Sequence, residues 1–182
     1  MLNARLRFAW FLGPFLVSGL LSVLDGRTQA ATQFIPGSVG ETDSDTVAEV
    51  MATFDHADEA MRRKDLDDLM SFYSAEYNYH GLTKSEIRKI WQDLFDNYRD
   101  IGSTHIFSVI RKSGPSTALS VEITCTGSLY AVSEATKLQV PIDSWYQEVH
   151  FLVKENGKWR IRGNVGDAPK VLPFGTAPHP LF

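Results

Sequence analysis

Apolar residues recur along the chain at two different spacings, and the change from one to the other divides the sequence. Val47, Val50, Met51, Phe54, Ala57 and Met61 keep helical spacing over about five turns, opened by Thr46 and Glu49 as a capping box. Lys64-Asp65-Leu66-Asp67 interrupts that stripe. Leu66, Leu69, Met70 and Tyr73 then mark a shorter helix whose acidic first turn suits the helix dipole. A short strand is predicted over 76–80. Thr83 and Glu86 repeat the capping signature, and Ile87, Ile90, Trp91, Leu94 and Tyr98 give a third helix ending at Gly102.

Beyond Gly102 the spacing drops to two. A strand over 104–111 turns at Ser113-Gly114-Pro115-Ser116. In the next strand Leu119, Val121, Ile123, Cys125 and Leu129 alternate with Ser120, Glu122, Thr124, Thr126 and Ser128, which predicts one core face and one wet face. A third long strand over 138–154 meets a fourth over 158–165 through Asn156-Gly157, a strong hairpin signal. The prolines at 169, 173, 178 and 180 make 168–182 a tail that cannot continue the sheet. Helices first and antiparallel strands afterwards mean an α+β fold.

The first thirty residues stand apart from this pattern. Arg5 and Arg7 precede an apolar run over 8–24 broken by Gly13, Pro14, Ser18 and Gly19, and Thr28-Gln29-Ala30-Ala31 follows, so 1–30 reads as a secretory signal peptide. The protein is accordingly expected to be secreted or periplasmic, with membrane contact only if the peptide stays uncleaved. Residues 31–43 carry Pro, Gly and polar residues without periodicity and are expected to be a flexible leader, so the domain spans 44–167.

Composition adds three exclusions. Of 182 residues, 43% are hydrophobic and 22% charged, enough to bury a core. Loss of 1–30 removes three Arg and one Asp, leaving 15 basic against 21 acidic residues and a net charge of −6, which opposes nucleic-acid binding. Cys125 is the single cysteine, so no intramolecular disulfide can form, and its place in an apolar register makes it a small buried hydrophobe. The histidines are isolated in sequence, and His-Glu-x-x-His, paired-cysteine, calcium-loop and phosphate-loop patterns are all missing, so neither a metal nor a cofactor is expected.

Several motifs together resemble one superfamily. Lys64-Asp65-Leu66-Asp67 with Leu69, Phe72-Tyr73-Ser74, Tyr79-His80-Gly81, and the run from Phe151 through Asn156-Gly157 to Trp159-Arg160-Ile161 are similar in order and spacing to the nuclear transport factor 2-like superfamily, over 47–167. The resemblance implies a cone, with helices wrapped in a curved antiparallel sheet and a pocket at the open end. It also implies several possible activities, because the superfamily holds isomerases, dehydratases, polyketide cyclases and noncatalytic binding domains. The tyrosine, base and acid positions of its ketosteroid-isomerase branch fall on Ala57, Gly81 and Val149, which disfavours that chemistry here.

His80 is left as the candidate for chemistry, as a general base in a segment similar to that of polyketide-cyclase relatives. Tyr79, Trp91, Trp145, Arg162 and Asn164 are the candidate ligand-binding residues, aromatic walls with polar tips at the cone mouth. His150 is expected to face away from the pocket, and His105 has no acidic or histidine partner at ligand spacing. The favoured reading is an exported domain binding a small, partly apolar molecule. The alternative is a cofactor-free isomerase, dehydratase or cyclase using His80, and the residues leave open whether the protein is an enzyme. A homodimer is expected through the wet face of the sheet, with Glu122, Tyr130, Tyr146 and His150 outward. Export is tested by intact mass: chains from the envelope or medium should begin at Ala31 or Thr32, and retention of Met1 or Leu2 would count against it.

Overall fold

In the computed structural model, which describes residues 32–79, 82–113 and 119–163, three helices lie against a curved five-stranded sheet. The helices are α1 (Ser44–Arg63), α2 (Leu66–Ser71) and α3 (Lys84–Asn97). The sheet runs in the order β1 (Thr32–Glu41), β4 (Tyr98–Ser113), β5 (Ser120–Ser133), β6 (Gln139–Glu155) and β7 (Lys158–Ile161). A separate hairpin joins β2 (Asn78–Tyr79) to β3 (Leu82–Thr83). The α+β class with a curved sheet is as the sequence indicates; β4 to β7 are antiparallel as expected, and β1 joins them in parallel.

Helix starts follow local chemistry. α1 begins earlier than the Thr46 box suggests, because Asp43 is the N-cap and accepts from the Thr46 amide at 2.8 Å. At α3 the Thr83 amide donates to Glu86 Oε2 at 2.7 Å, as the capping box requires. That helix ends at Asn97 rather than Gly102, and Tyr98 already opens β4. Asn156 and Gly157 take φ of 51° and 78°, the positive pair that a tight hairpin between β6 and β7 needs.

The segment expected to be a flexible leader instead contains β1, which pairs in parallel with β4 from Thr32 opposite His105 to Glu41 opposite Arg111. Pro36 and Gly37 read as breakers in the sequence. An edge strand tolerates them, since its outer side needs no partner, and the register shift between Phe34 and Val39 absorbs the irregularity.

Four register shifts along the antiparallel strands bend the sheet around α1: between Arg99 and Gly102, Phe107 and Val109, Cys125 and Gly127, and Leu129 and Tyr130. Phe54, buried to 1%, is the centre of the resulting core and meets Phe72, Phe107 and His105 at ring centroid distances of 5.2, 5.0 and 4.9 Å. Burial of one such ring contributes roughly 2 to 3 kcal/mol. Of the β5 residues expected inward, Val121, Ile123, Cys125 and Leu129 are fully buried, whereas Leu119 precedes the strand and is exposed.

Gly127 faces the same concave surface between His105 and Trp145. A Cβ there would lie 2.0 Å from the Thr104 carbonyl oxygen and 2.6 Å from the Trp145 ring, so the indole can lie across β5 only over a glycine. Gly127→Ala is therefore expected to cost about 3 kcal/mol in urea unfolding. A loss under about 0.5 kcal/mol would show that the sheet gives way at no strain.

Candidate functional site

The concave face of the sheet is set by cross-strand partners that point the same way: His105, Gly127 and Trp145 in one row, Phe107, Cys125 and Glu148 in the next, Ile110, Ile123 and His150 in the third. Trp145 and Glu148 are three residues apart and would face opposite sides of a regular strand. They share a side because β6 carries one more residue than β5 between these rows, with Gln147 at φ 52° and its amide held by Thr126 Oγ1 at 3.1 Å.

This bulge overturns the expected orientation of His150. Val149, Phe151 and Val153 suggest the inner face by their apolarity, yet Val149 is 38% exposed while His150 is 2% exposed beside Phe54. His150 therefore belongs to the core and not to an outward face. The acid position counted to Val149 points outward, and the carboxylate that faces inward is Glu148.

Glu148 is half-buried, and its Oε1 accepts from the Tyr79 hydroxyl at 2.8 Å, tying β6 to the short β2 hairpin. Tyr79 itself is 2% exposed. Behind it an edge-to-face pile of Phe72, Tyr73 and Tyr77 forms an aromatic wall, with centroid distances of 5.5 and 5.0 Å. Burial raises the phenols of Tyr73 and Tyr77 well above the ordinary value of 10.0, so both stay protonated.

Beside Glu148 a chain of polar side chains crosses the core. Asp58 Oδ1 accepts from the Ser103 amide at 3.1 Å and from its hydroxyl at 3.0 Å, while Arg62 donates to Oδ2. Ser103 Oγ meets His105 Nε2 at 3.1 Å, His105 Nδ1 meets Cys125 Sγ at 3.6 Å, and the Trp145 indole donates to that sulfur at 3.2 Å. Asp58, Ser103, His105, Cys125 and Trp145 are each at most 5% exposed. Burial pushes the Cys125 thiol up to about 12, so it keeps its proton and is no nucleophile.

The candidate residues from the sequence fall in different places. Tyr79 and Trp145 line the concave interior and connect through Glu148 and Cys125. Trp91 is fully buried in α3 with its indole donating to the Tyr73 hydroxyl at 2.7 Å. Arg162 follows β7, half-exposed, with Glu76 at 3.9 Å. His80 and Asn164 lie outside the described residues. Glu148 escaped sequence reasoning because its inward face depends on the bulge. His105 does have an acidic connection, but it runs through Ser103 to Asp58 on α1, and nothing in the sequence spacing reports it.

Two clefts lie elsewhere on the surface. One of about 380 Å³ sits between α1, the end of α2 and the β6–β7 hairpin, lined by His56, Phe72 and Trp159 among others. Its rim groups are already engaged: Glu49 accepts from Lys154 at 2.6 Å and from the Trp159 indole at 2.8 Å, and His56 meets Asp68 at 2.8 Å. The other, about 390 Å³, separates α3 from the β4 and β5 ends. Among the described residues no group of three or more His, Cys, Asp or Glu could hold a metal ion, and no helix is long and apolar enough to cross a membrane.

No protein family and no curated protein matches the chain by sequence. Solved structures do. A conserved protein from Planctomyces limnophilus is similar with a TM-score of 0.54 and 9% identity, over 66% of this chain and 94% of that one. Aln2 from a Streptomyces species gives a TM-score of 0.50 and 14% identity, over 67% of this chain and 89% of that one. A ketosteroid isomerase-like protein from Erwinia carotovora atroseptica gives 0.48 and 16%, over 66% and 94%. Identities this low speak for the fold alone, helices against a curved, unclosed sheet, which the chain shares with the first two of these structures.

The buried Asp58 generates a pH test. Burial raises its carboxyl above the ordinary 3.8, with Arg62 and Ser103 opposing the rise. Folding then favours the protonated form, a contribution fully present below 3.8 and lost as pH rises through the raised value. Urea unfolding of wild type and Asp58→Asn between about pH 3.5 and 7 should show the wild type relatively best at the acid end. A wild-type advantage that grows towards neutrality would mean that Arg62 and Ser103 outweigh burial.

Proposed function

We propose that the protein is an exported domain that binds a small, partly apolar molecule inside the cone, at the wall formed by Tyr79, Glu148 and Trp145. The observation that carries this reading is the Tyr79–Glu148 hydrogen bond of 2.8 Å on a half-buried carboxylate. A carboxylate there is a directional acceptor in surroundings of low dielectric, where a hydrogen bond from a bound molecule is worth more than in water. The aromatic wall of Phe72, Tyr73 and Tyr77 supplies the apolar side. The outer cleft of about 380 Å³ between α1 and the β6–β7 hairpin, lined by His56, Phe72 and Trp159, is the competing location. Export is supported by Arg5, Arg7 and the broken apolar run before Ala30.

The ligand class follows from the pair. Glu148 accepts and the Tyr79 hydroxyl donates, so a molecule with a hydroxyl or amine donor on an apolar or aromatic body fits best. Nuclear magnetic resonance and thermal-shift screening with small phenols, aromatic alcohols and aromatic amines tests this on wild type, Glu148→Gln and Tyr79→Phe. Binders should perturb Trp145 and lose about tenfold in affinity in Glu148→Gln, in line with about 1.4 kcal/mol for one charge-assisted bond. Equal affinity in wild type and Glu148→Gln, or perturbation of His56 and Trp159 instead, would overturn the assignment.

A further inference from the structure

The buried chain from Asp58 to Trp145 has one internally consistent direction. Arg62 and the Ser103 amide and hydroxyl all donate to the Asp58 carboxylate. With its proton spent on Asp58, Ser103 Oγ can only accept from His105, which places the imidazole proton on Nε2. Nδ1 is then left as an acceptor facing the Cys125 thiol, whose proton has a second acceptor in the Thr126 carbonyl oxygen at 3.7 Å, and the Trp145 indole, a donor only, completes the chain at the sulfur. From Asp58 to His105 each hydrogen bond thus dictates the next, and Cys125 carries the chain on from β4 to β5 and β6.

The last link lands next to the bulge. Trp145 lies on one side of Tyr146 and Gln147, Glu148 lies on the other, and Cys125 is the cross-strand neighbour of Glu148. The apolarity of β6 does not by itself select one face, because Val149, Phe151 and Val153 alternate with His150 and the fully buried Leu152. A one-residue slip would turn Val149, Phe151 and Val153 inward and Glu148, His150 and Leu152 out. The indole, laid across Gly127 and held by Cys125, opposes the slip at this point together with Thr126 Oγ1, which holds the Gln147 amide at 3.1 Å.

We propose that Asp58, Ser103, His105 and Cys125 are positioning residues for the Tyr79–Glu148 pair: by fixing Trp145 across β5 they hold the β6 bulge that turns Glu148 inward. This rests on the reading of that pair as the binding site, but its own claim is about geometry. The cysteine is present for two properties at once, a proton to give and a sulfur lone pair for the indole, and serine shares both.

Crystal structures of Cys125→Ala and Cys125→Ser, together with nitrogen resonance of the wild type, decide it. In Cys125→Ala the indole N–H loses its acceptor, and the Tyr79–Glu148 separation should lengthen from 2.8 Å to beyond about 3.5 Å, the limit of a hydrogen bond. Exchange of the Trp145 indole proton with solvent should speed up by about tenfold or more. Cys125→Ser should keep both near wild type. In the wild type the neutral His105 imidazole should carry its proton on Nε2, a measurement that needs no variant to fold. A retained Tyr79–Glu148 bond in Cys125→Ala, failure of serine to rescue, or a proton on Nδ1 would each overturn the proposal. None of these readouts uses a ligand, so a barren ligand screen would sink the binding reading and leave this one standing.

Discussion

One extra residue in β6, between Trp145 and Glu148, puts both side chains on the concave face, and the interior is arranged around that pair. A regular strand could offer the cone either the indole or the carboxylate, never both. With both present, Trp145 closes over Gly127 and reaches Cys125, while Glu148 reaches across to Tyr79. The same step makes His150 a core residue and leaves Val149 on the outside. Bulges elsewhere in β4, β5 and β6 do the coarser work of curvature, which lets one helix, α1, fill the cone with Phe54.

How much of this is legible in the sequence depends on whether the controlling interaction is local. Helix α3 is legible because Thr83 and Glu86 cap it within one turn, and the β6–β7 hairpin because Asn156-Gly157 carries its own backbone geometry. The alternation of β5 is legible because Val121, Ile123 and Cys125 pack on one side throughout. β1 is not, since its stability comes from β4, about seventy positions away, and its Pro36 and Gly37 argue locally against a strand. The inner face of β6 is misread for the same reason: apolar Val149, Phe151 and Val153 report local pattern, and the bulge that overrules them is decided by groups on β5 and α1.

The candidate site divides along the same line. Tyr79 and Trp145 stand out as aromatic residues, and both line the interior. Glu148 and the His105 connection to Asp58 are invisible because each needs a partner from a different element, at sequence separations of 69 and 45 residues for the Tyr79–Glu148 and Asp58–Ser103 bonds. A single chain read alone has no signal for such pairs. Composition could say only that more aromatic area is present than a small core requires.

A polar chain is a costly way to fill the middle of a core. Each buried donor or acceptor left unmatched would cost about 1 to 3 kcal/mol, whereas an apolar replacement of equal shape for a matched pair can be nearly neutral. The chain from Asp58 to Trp145 is tolerated because every link is matched, with Arg62 closing the carboxylate end and the indole closing the sulfur end. Apolar packing at these positions would bury the same area but would accept Val149 as readily as His150 facing Phe54, since it has no directional demand. Hydrogen bonds do have one, and a network that fails when any member turns away discriminates between registers that hydrophobic burial alone scores alike. The cone interior therefore trades some ease of packing for a single arrangement of β6, the one in which a carboxylate meets Tyr79.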